Sequence, residues 1–300
     1  MRTAFIKTLI KSAASDERIV LVTGDLGYSV VEEFADLYPN RFINAGVAEQ
    51  NMSSIAAGLA SEGFHVIVYS IGNFTTLRCL EQIRNDICAH ELPVTLVAIG
   101  AGFSYGNLGF SHHAVSDIAS IASLPNMHVF SPADQAETEV CLLESLKLHK
   151  PCYLRLGKVN EPAIKPEIPL FINAPRLISK GDGRIVICAT GSILIEAINA
   201  KHALEEVGIN ASVYSIPLLS PVDGSYFEEI YNHGIIVTIE EHVRHGGLGS
   251  IIREYAPIGV TVKSLCVDKN RVDYVGDQAY LRMLHDIDSN SIFMLIMKLV

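Results

Sequence analysis

Short apolar runs alternate with longer stretches of helical spacing, and no other feature constrains the fold of this chain as tightly. The run Arg18-Ile-Val-Leu-Val-Thr-Gly24 is apolar throughout and closes on a glycine. That is the pattern of a strand buried on both faces in a parallel sheet. Similar runs occupy residues 65–70, 93–100, 127–131 and 152–156. Helical stretches are expected between them, over 3–14, 47–62, 73–90, 114–124 and 133–148. Within 47–62, Met52, Ile55, Ala56 and Leu59 recur at helical spacing. Strand–helix alternation of this kind predicts a mostly parallel sheet with helices on both faces.

A length of 300 residues exceeds what one core usually holds, which predicts two domains. Five prolines, Pro151, Pro162, Pro166, Pro169 and Pro175, interrupt the pattern. Proline at that density continues neither a helix nor a central strand. The expected division is a first domain over 1–160, a linker over 161–176 and a second, smaller domain over 177–300. The second half repeats the alternation, with strands over 184–190, 211–216, 234–240 and 259–266. Its helices are expected over 192–207 and 247–255, with two more near the C-terminus. The last of these, 291–299, reads as a docked core helix. The fold class is thus α/β, with two three-layer α/β/α domains.

Composition narrows the function. A chain 49% hydrophobic and 19% charged is not disordered. The net charge of −10 and the scattered Lys and Arg residues lack the basic stripe of a nucleic-acid binder. No apolar run reaches the ~20 residues needed to span a bilayer, and Lys7 and Lys11 interrupt the N-terminal stretch, which reads as neither signal peptide nor anchor. Six cysteines stand apart, with no Cys-x-x-Cys pair. They read as reduced, buried thiols of a cytoplasmic protein.

One stretch carries chemistry. In Arg41-Phe-Ile-Asn-Ala-Gly-Val-Ala-Glu49-Gln-Asn-Met52 a carboxylate opens a helix directly after a short strand and a glycine, within an apolar run. Alone, Glu49 would be a first-turn acid favoured by the helix dipole, worth ~0.3–1 kcal/mol. Its surroundings say more. Gly-Val-Ala-Glu-Gln-Asn-Met, followed by Ile55-Ala-Ala-Gly-Leu-Ala60, resembles the pyrimidine-binding domain of transketolases. The resemblance continues through Phe74 and Arg78-Cys-Leu-Glu-Gln-Ile83, through Gly106-Asn-Leu-Gly-Phe-Ser-His112-His113, and through Ser131-Pro-Ala-Asp134. Ala189-Thr-Gly-Ser192 and Glu240-Glu-His, followed by Gly246-Gly-Leu-Gly-Ser250, resemble the transketolase C-terminal domain.

The resemblance implies a thiamine diphosphate enzyme that transfers a two-carbon ketol unit from a ketose, phosphorylated in the implied reaction, to an aldehyde. Glu49 and His112 would be catalytic, Glu49 on the pyrimidine ring nitrogen and His112 at the sugar. Phe74 would stack on the pyrimidine, with Asp25 and Arg78 completing the cofactor set. Arg2, Ser29 and Lys158 match the sugar-phosphate cradle, although Lys158 replaces an arginine and loses its two-pronged grip. His113 stands beside His112 as a second candidate. Leu108 replaces the acid that reads a donor hydroxyl and cannot accept that bond. The second loop histidine has no counterpart, with Gly100 near its place.

The diphosphate-gripping half is missing. Gly181-Asp182-Gly183 precedes an expected strand, whereas a metal–diphosphate site needs the motif after one, so it reads as a turn. The resemblance therefore implies a C-terminal subunit whose partner, an N-terminal subunit carrying Gly-Asp-Gly, holds the diphosphate and its Mg²⁺ or Ca²⁺ in an α2β2 complex; no metal site is expected in this chain. Gly246-Gly-Leu-Gly249 is expected to serve close packing, and Glu240-Glu241-His242 a strand end at an interface. The alternatives are the β subunit of a 2-oxoacid dehydrogenase, a 1-deoxyxylulose-phosphate-synthase-like subunit, and a non-catalytic regulatory paralogue.

Overall fold

A computed structural model describes residues 1–158, 164, 172–271 and 273–300. Most of the expected linker, 161–176, lies outside the described residues. The first sheet holds β1 (Ile19–Thr23), β2 (Phe42–Asn44), β3 (His65–Ile71), β4 (Val94–Ile99), β5 (His128–Phe130) and β6 (Cys152–Leu156). The second holds β7 (Arg176–Ser179), β8 (Ile185–Ala189) and β9 (Ser212–Ser215), together with β11 (Ile235–Val243) and β12 (Thr261–Val267). Between these comes β10 (Leu218–Ser220), which leaves its own half and pairs antiparallel with β5. The strand orders are β10-β5-β6-β4-β3-β1-β2 and β12-β11-β8-β9-β7. Among the described strands, only β10 and β7 run antiparallel to a neighbour, both at sheet edges.

Helices cover both faces. α1 (Arg2–Ser15) and α7 (Gln135–Leu148) pack on one face of the first sheet, burying Phe5, Leu9 and Leu142. Between them in sequence lie α2 (Glu32–Leu37), α3 (Glu49–Ser61), α4 (Gly72–Thr75), α5 (Leu80–Gln82) and α6 (Asp117–Ala122). α3 and α6 bury Met52, Ala56 and Ile118 against the opposite face. In the second half, α8 (Leu194–Glu206) shares one core with the last helix, α12 (Ser289–Met297), through Leu194, Ala197, Ile292 and Ile296. α9 (Glu228–Tyr231) and α10 (Leu248–Tyr255) cover the other face, and α11 (Gln278–Leu284) precedes α12. Ile230, Leu248 and Ile252 belong to the same apolar cluster as Met52 and Ile118, so one core runs through both sheets. No described helix is long and apolar enough to cross a membrane.

Two expected helices differ. The stretch 73–90 breaks into α4, a tight turn Leu77–Cys79, α5 and a wide π-turn Ile83–Cys88. Thr76, at φ −116° and ψ −83°, leaves helical geometry, and its Oγ1 donates to the Gly72 carbonyl at 2.7 Å. Hydroxyls that compete for backbone acceptors interrupt helices in this way. The helix expected over 114–124 begins only at Asp117, because Ala114 pairs with Gly102 as an isolated bridge.

Candidate active site

Every group singled out in the first half sits just beyond the carboxyl end of a parallel strand, apart from Arg2. Asp25 and Ser29 follow β1, Glu49 follows β2, and Phe74 and Arg78 follow β3; Leu108, His112 and His113 follow β4, and Lys158 follows β6. Arg2 opens α1, which leads into β1 from that same edge. In open α/β sheets the crevice outside the carboxyl ends is where ligands bind.

Glu49 is buried at 4% exposure although it opens α3. Asn44 shapes the turn that brings it there. Asn44 Oδ1 accepts the Asp25 and Gly46 amides, each at 2.9 Å, and its Nδ2 donates to Asp25 Oδ1 at 3.1 Å. Asp25 is thus a brace between the β1 and β2 loops. Gly46, at φ +72°, supplies the left-handed step that most side chains avoid. Arg78 Nη1 donates to Glu49 Oε2 at 2.8 Å, and the Arg78 side chain is 46% exposed. Glu49 Oε1 has no hydrogen-bond partner among the described residues. The Arg78 guanidinium also lies 4.3 Å from the Phe74 ring centroid, a cation–π contact. His112 meets the same ring edge-on at 5.2 Å. Glu49, Arg78, Phe74 and His112 thus form one continuous chain of contacts.

The loop bearing His112 is held from below. Asn73 Nδ2 donates to the Ser111 and His113 carbonyls at 3.0 and 3.1 Å. His112 is half-buried, and burial together with neighbouring His113 holds its pKa below the ordinary imidazole range. His113 points inward at 4% exposure, its Nε2 3.1 Å from the Gly106 carbonyl and its ring edge-on to Phe103. Leu108 is 57% exposed on the same loop.

Arg2 and Ser29 come together in a cleft of about 470 Å³ with Lys7, Glu32 and Glu33. Lys158 is half-buried and does not line it.

Asp117, Tyr153 and Arg155 carried no sequence signal. Asp117 and Arg155 form a fully buried pair at 2.7 Å, to which Tyr153 adds a hydroxyl at 2.6 Å. Arg155 also donates to the Ala114 and Glu241 carbonyls, joining the two halves. Glu241 accepts from Phe103 N–H at 3.2 Å and from Arg282 at 2.5 Å, and so ties the β4 loop to α11. A lone Asp and a lone Arg 38 residues apart announce nothing until the fold joins them.

The Gly-rich decoys are structural. Glu240 accepts the Leu248 and Gly249 amides at 2.6 and 2.9 Å and so fills the α10 N-terminus with its own carboxylate. Burial pushes that carboxyl up to about 7. A Cβ on Gly249 would collide with Ser264 Oγ. Asp182 Oδ1 accepts the Arg184 amide at 3.2 Å in the turn leading into β8. Among the described residues no group of three or more His, Cys, Asp or Glu is placed to hold a metal.

Residues 1–162 match the family model for the transketolase pyrimidine-binding domain, and residues 176–262 match that for the transketolase C-terminal domain. The chain is 34% identical over 277 residues to a putative transketolase C-terminal section of Methanocaldococcus jannaschii, covering 91% of this chain and 87% of that protein. It is 33% identical over 257 residues to one of the subunits of an apulose-4-phosphate transketolase of Phocaeicola vulgatus, covering 84% and 82%. A solved split-gene transketolase, described as an inactive β4 tetramer, superposes with a TM-score of 0.86 at 31% identity, over 99% of this chain and 96% of that one. The chain belongs to the transketolase family and corresponds to its pyrimidine-binding and C-terminal domains.

Proposed function

We propose that this chain is the C-terminal subunit of a cytoplasmic, split, thiamine diphosphate-dependent transketolase acting in carbohydrate metabolism. It moves a two-carbon ketol unit from a ketose to an aldehyde, and it turns over only with an N-terminal, diphosphate-binding subunit. The domain boundaries 1–160 and 177–300 belong to the same reading. The supporting observation is the Glu49 carboxylate, buried with one oxygen held by Arg78 and the other open. A buried acid with an unspent acceptor, beside the Phe74 ring, fits the edge of an aminopyrimidine. Among the described residues no donor set fits a metal–diphosphate group, and in this reading that role goes to the partner, which carries the Gly-Asp-Gly motif and the Mg²⁺ or Ca²⁺.

The cofactor, when bound, would supply the electron sink for the carbon–carbon chemistry, which no protein side chain provides. This chain's part is positioning and proton control. Glu49 would hold a proton at the ring nitrogen, and its burial strengthens that bond. Phe74 would stack on the ring face, worth ~0.5–1.5 kcal/mol beyond burial. Arg78 fixes both Glu49 and Phe74 from the solvent side. His112, lower in pKa than a free imidazole, is suited to take and return a proton at a substrate oxygen. The split-gene neighbour's description as an inactive β4 tetramer supports both self-association and inactivity without a partner, consistent with an α2β2 complex.

The test is reconstitution. The purified chain is mixed with an N-terminal subunit carrying Gly-Asp-Gly, and ketol transfer from ketoses is measured beside decarboxylation of pyruvate. Transfer that needs both subunits supports the reading. Full turnover by this chain alone, or pyruvate as the sole donor, overturns it.

A further inference from the structure

We infer that Glu32 and Glu33 shape the distal end of the donor site for an uncharged, hydroxyl-bearing terminus and against a phosphate. This rests on the functional reading above and deepens it. Two cations, Arg2 and Lys7, and two carboxylates, Glu32 and Glu33, line the cleft that holds Ser29. Its formal charge is therefore zero. A phosphate ester carries close to two negative charges at neutral pH and needs a surplus of donors.

The donors are also already claimed. Ser29 takes a left-handed backbone at φ +65°, and its amide donates to Glu32 Oε1 at 2.6 Å. The amide beside the hydroxyl that would hold a phosphate is thus occupied by a carboxylate of the same loop. That bond holds the Glu32 carboxyl below the ordinary range, so it is ionised at neutral pH. Against these acceptors stands Arg2, whose guanidinium lies beside the buried Tyr69 hydroxyl and whose Nε is buried with no acceptor in hydrogen-bond geometry. A carboxylate beside a guanidinium that meets no carboxylate in hydrogen-bond geometry among the described residues suits a sugar hydroxyl, which donates to the first and accepts from the second. Leu108, exposed on the neighbouring loop, lies outside this cleft, so Glu32 and Glu33 act separately from the acid the sequence has lost.

The experiment compares D-fructose with D-fructose 6-phosphate as donors for the reconstituted complex, wild type against E32Q/E33Q. Removing two carboxylates from the cleft is expected to move the ratio of kcat/KM values toward the phosphorylated donor by about tenfold. A ratio that stays within about twofold overturns the inference. A second measurement is independent of turnover: the thermal midpoint of the full chain in inorganic phosphate against chloride of equal ionic strength. Phosphate is expected to leave the wild type unmoved and to stabilise E32Q/E33Q. Stabilisation of the wild type by phosphate overturns the inference. If no donor turns over, the functional reading fails and this second measurement decides the inference on its own.

Discussion

Arg78 reaches across from the turn after α4 and donates to Glu49 Oε2 at 2.8 Å, so this buried carboxylate at the sheet edge is held by a guanidinium that is itself half in solvent. The pair is asymmetric. On the proposed function, removing the acid takes away the group that would hold the ring nitrogen's proton, whereas removing the arginine leaves a buried carboxyl group without its partner.

Glu49→Gln should lower ketol transfer by the reconstituted complex by about a hundredfold or more, the range for losing a positioned acid–base group. The thermal midpoint of the chain should change little. Arg78→Ala should cost about 1 kcal/mol in urea unfolding, since the exposed side of the pair is screened. Steady-state kinetics and urea titration of the two variants check both halves, and equal activity losses with no stability difference would count against the asymmetry.

The adjacent histidines should separate cleanly. His112→Asn is expected to reduce kcat while leaving the unfolding midpoint in place, because that ring lies on the site side against Phe74. His113→Asn removes a buried ring that bonds the Gly106 carbonyl and packs on Phe103. It should cost about 1–3 kcal/mol of stability. A His113 variant with full stability and a lost kcat would reverse the assignment.

Gly102 tests the joint between the β4 loop and Glu241. It sits at φ +59°, and a Cβ there would collide with Glu241 Oε2. Gly102→Ala should destabilise by about 2–4 kcal/mol, combining backbone strain with overpacking. Gly183→Ala is the control, at φ +92° with nothing within 4 Å of the added carbon. It should lose only the backbone part, about 1–2 kcal/mol. Similar losses at the two positions would show that the close contact is relieved at no cost.

Stability should rise with pH in mildly acidic solution. Burial drives His65 and His242 down to about 4, so both are neutral in the native state while their unfolded forms bind protons below the ordinary imidazole value of 6.5. Glu240, pushed up to about 7, acts the other way, since the native state keeps a proton that the unfolded chain releases near 4.5. Between pH 4.5 and 6.5 the unfolded state therefore binds two of these protons against the native state's one. These three groups together contribute a slope of about +1.4 kcal/mol per pH unit. His242→Gln should flatten it and Glu240→Gln should steepen it. Urea midpoints at several pH values across that window check the sign.

Much of this protein is readable from its residues in order. The buried runs at 19–23, 94–99 and 152–156 are apolar at nearly every position, and a parallel interior satisfies such a run. Glu49 stands out because the residues around it, Gly-Val-Ala-Glu-Gln-Asn-Met, resemble a known motif, whereas alone it would read as an ordinary first-turn acid. β2 and β10, three residues each, carry too little periodicity to announce themselves, and β10 is a strand only because β5 offers an unpaired edge.

Chain order thus determined the two α/β halves, which depend on periodicity, and pointed to the family and to the acid at the head of α3 through the motifs that resemble it. Tertiary structure alone decided that His112 meets Phe74 while His113 turns inward onto Phe103, that Asp25 braces Asn44, and that Asp117 meets Arg155. It also decided that Glu32 and Glu33 share a cleft with Arg2. Those contacts join residues from separate strand ends, and their energies exist only once the sheet has brought the ends together.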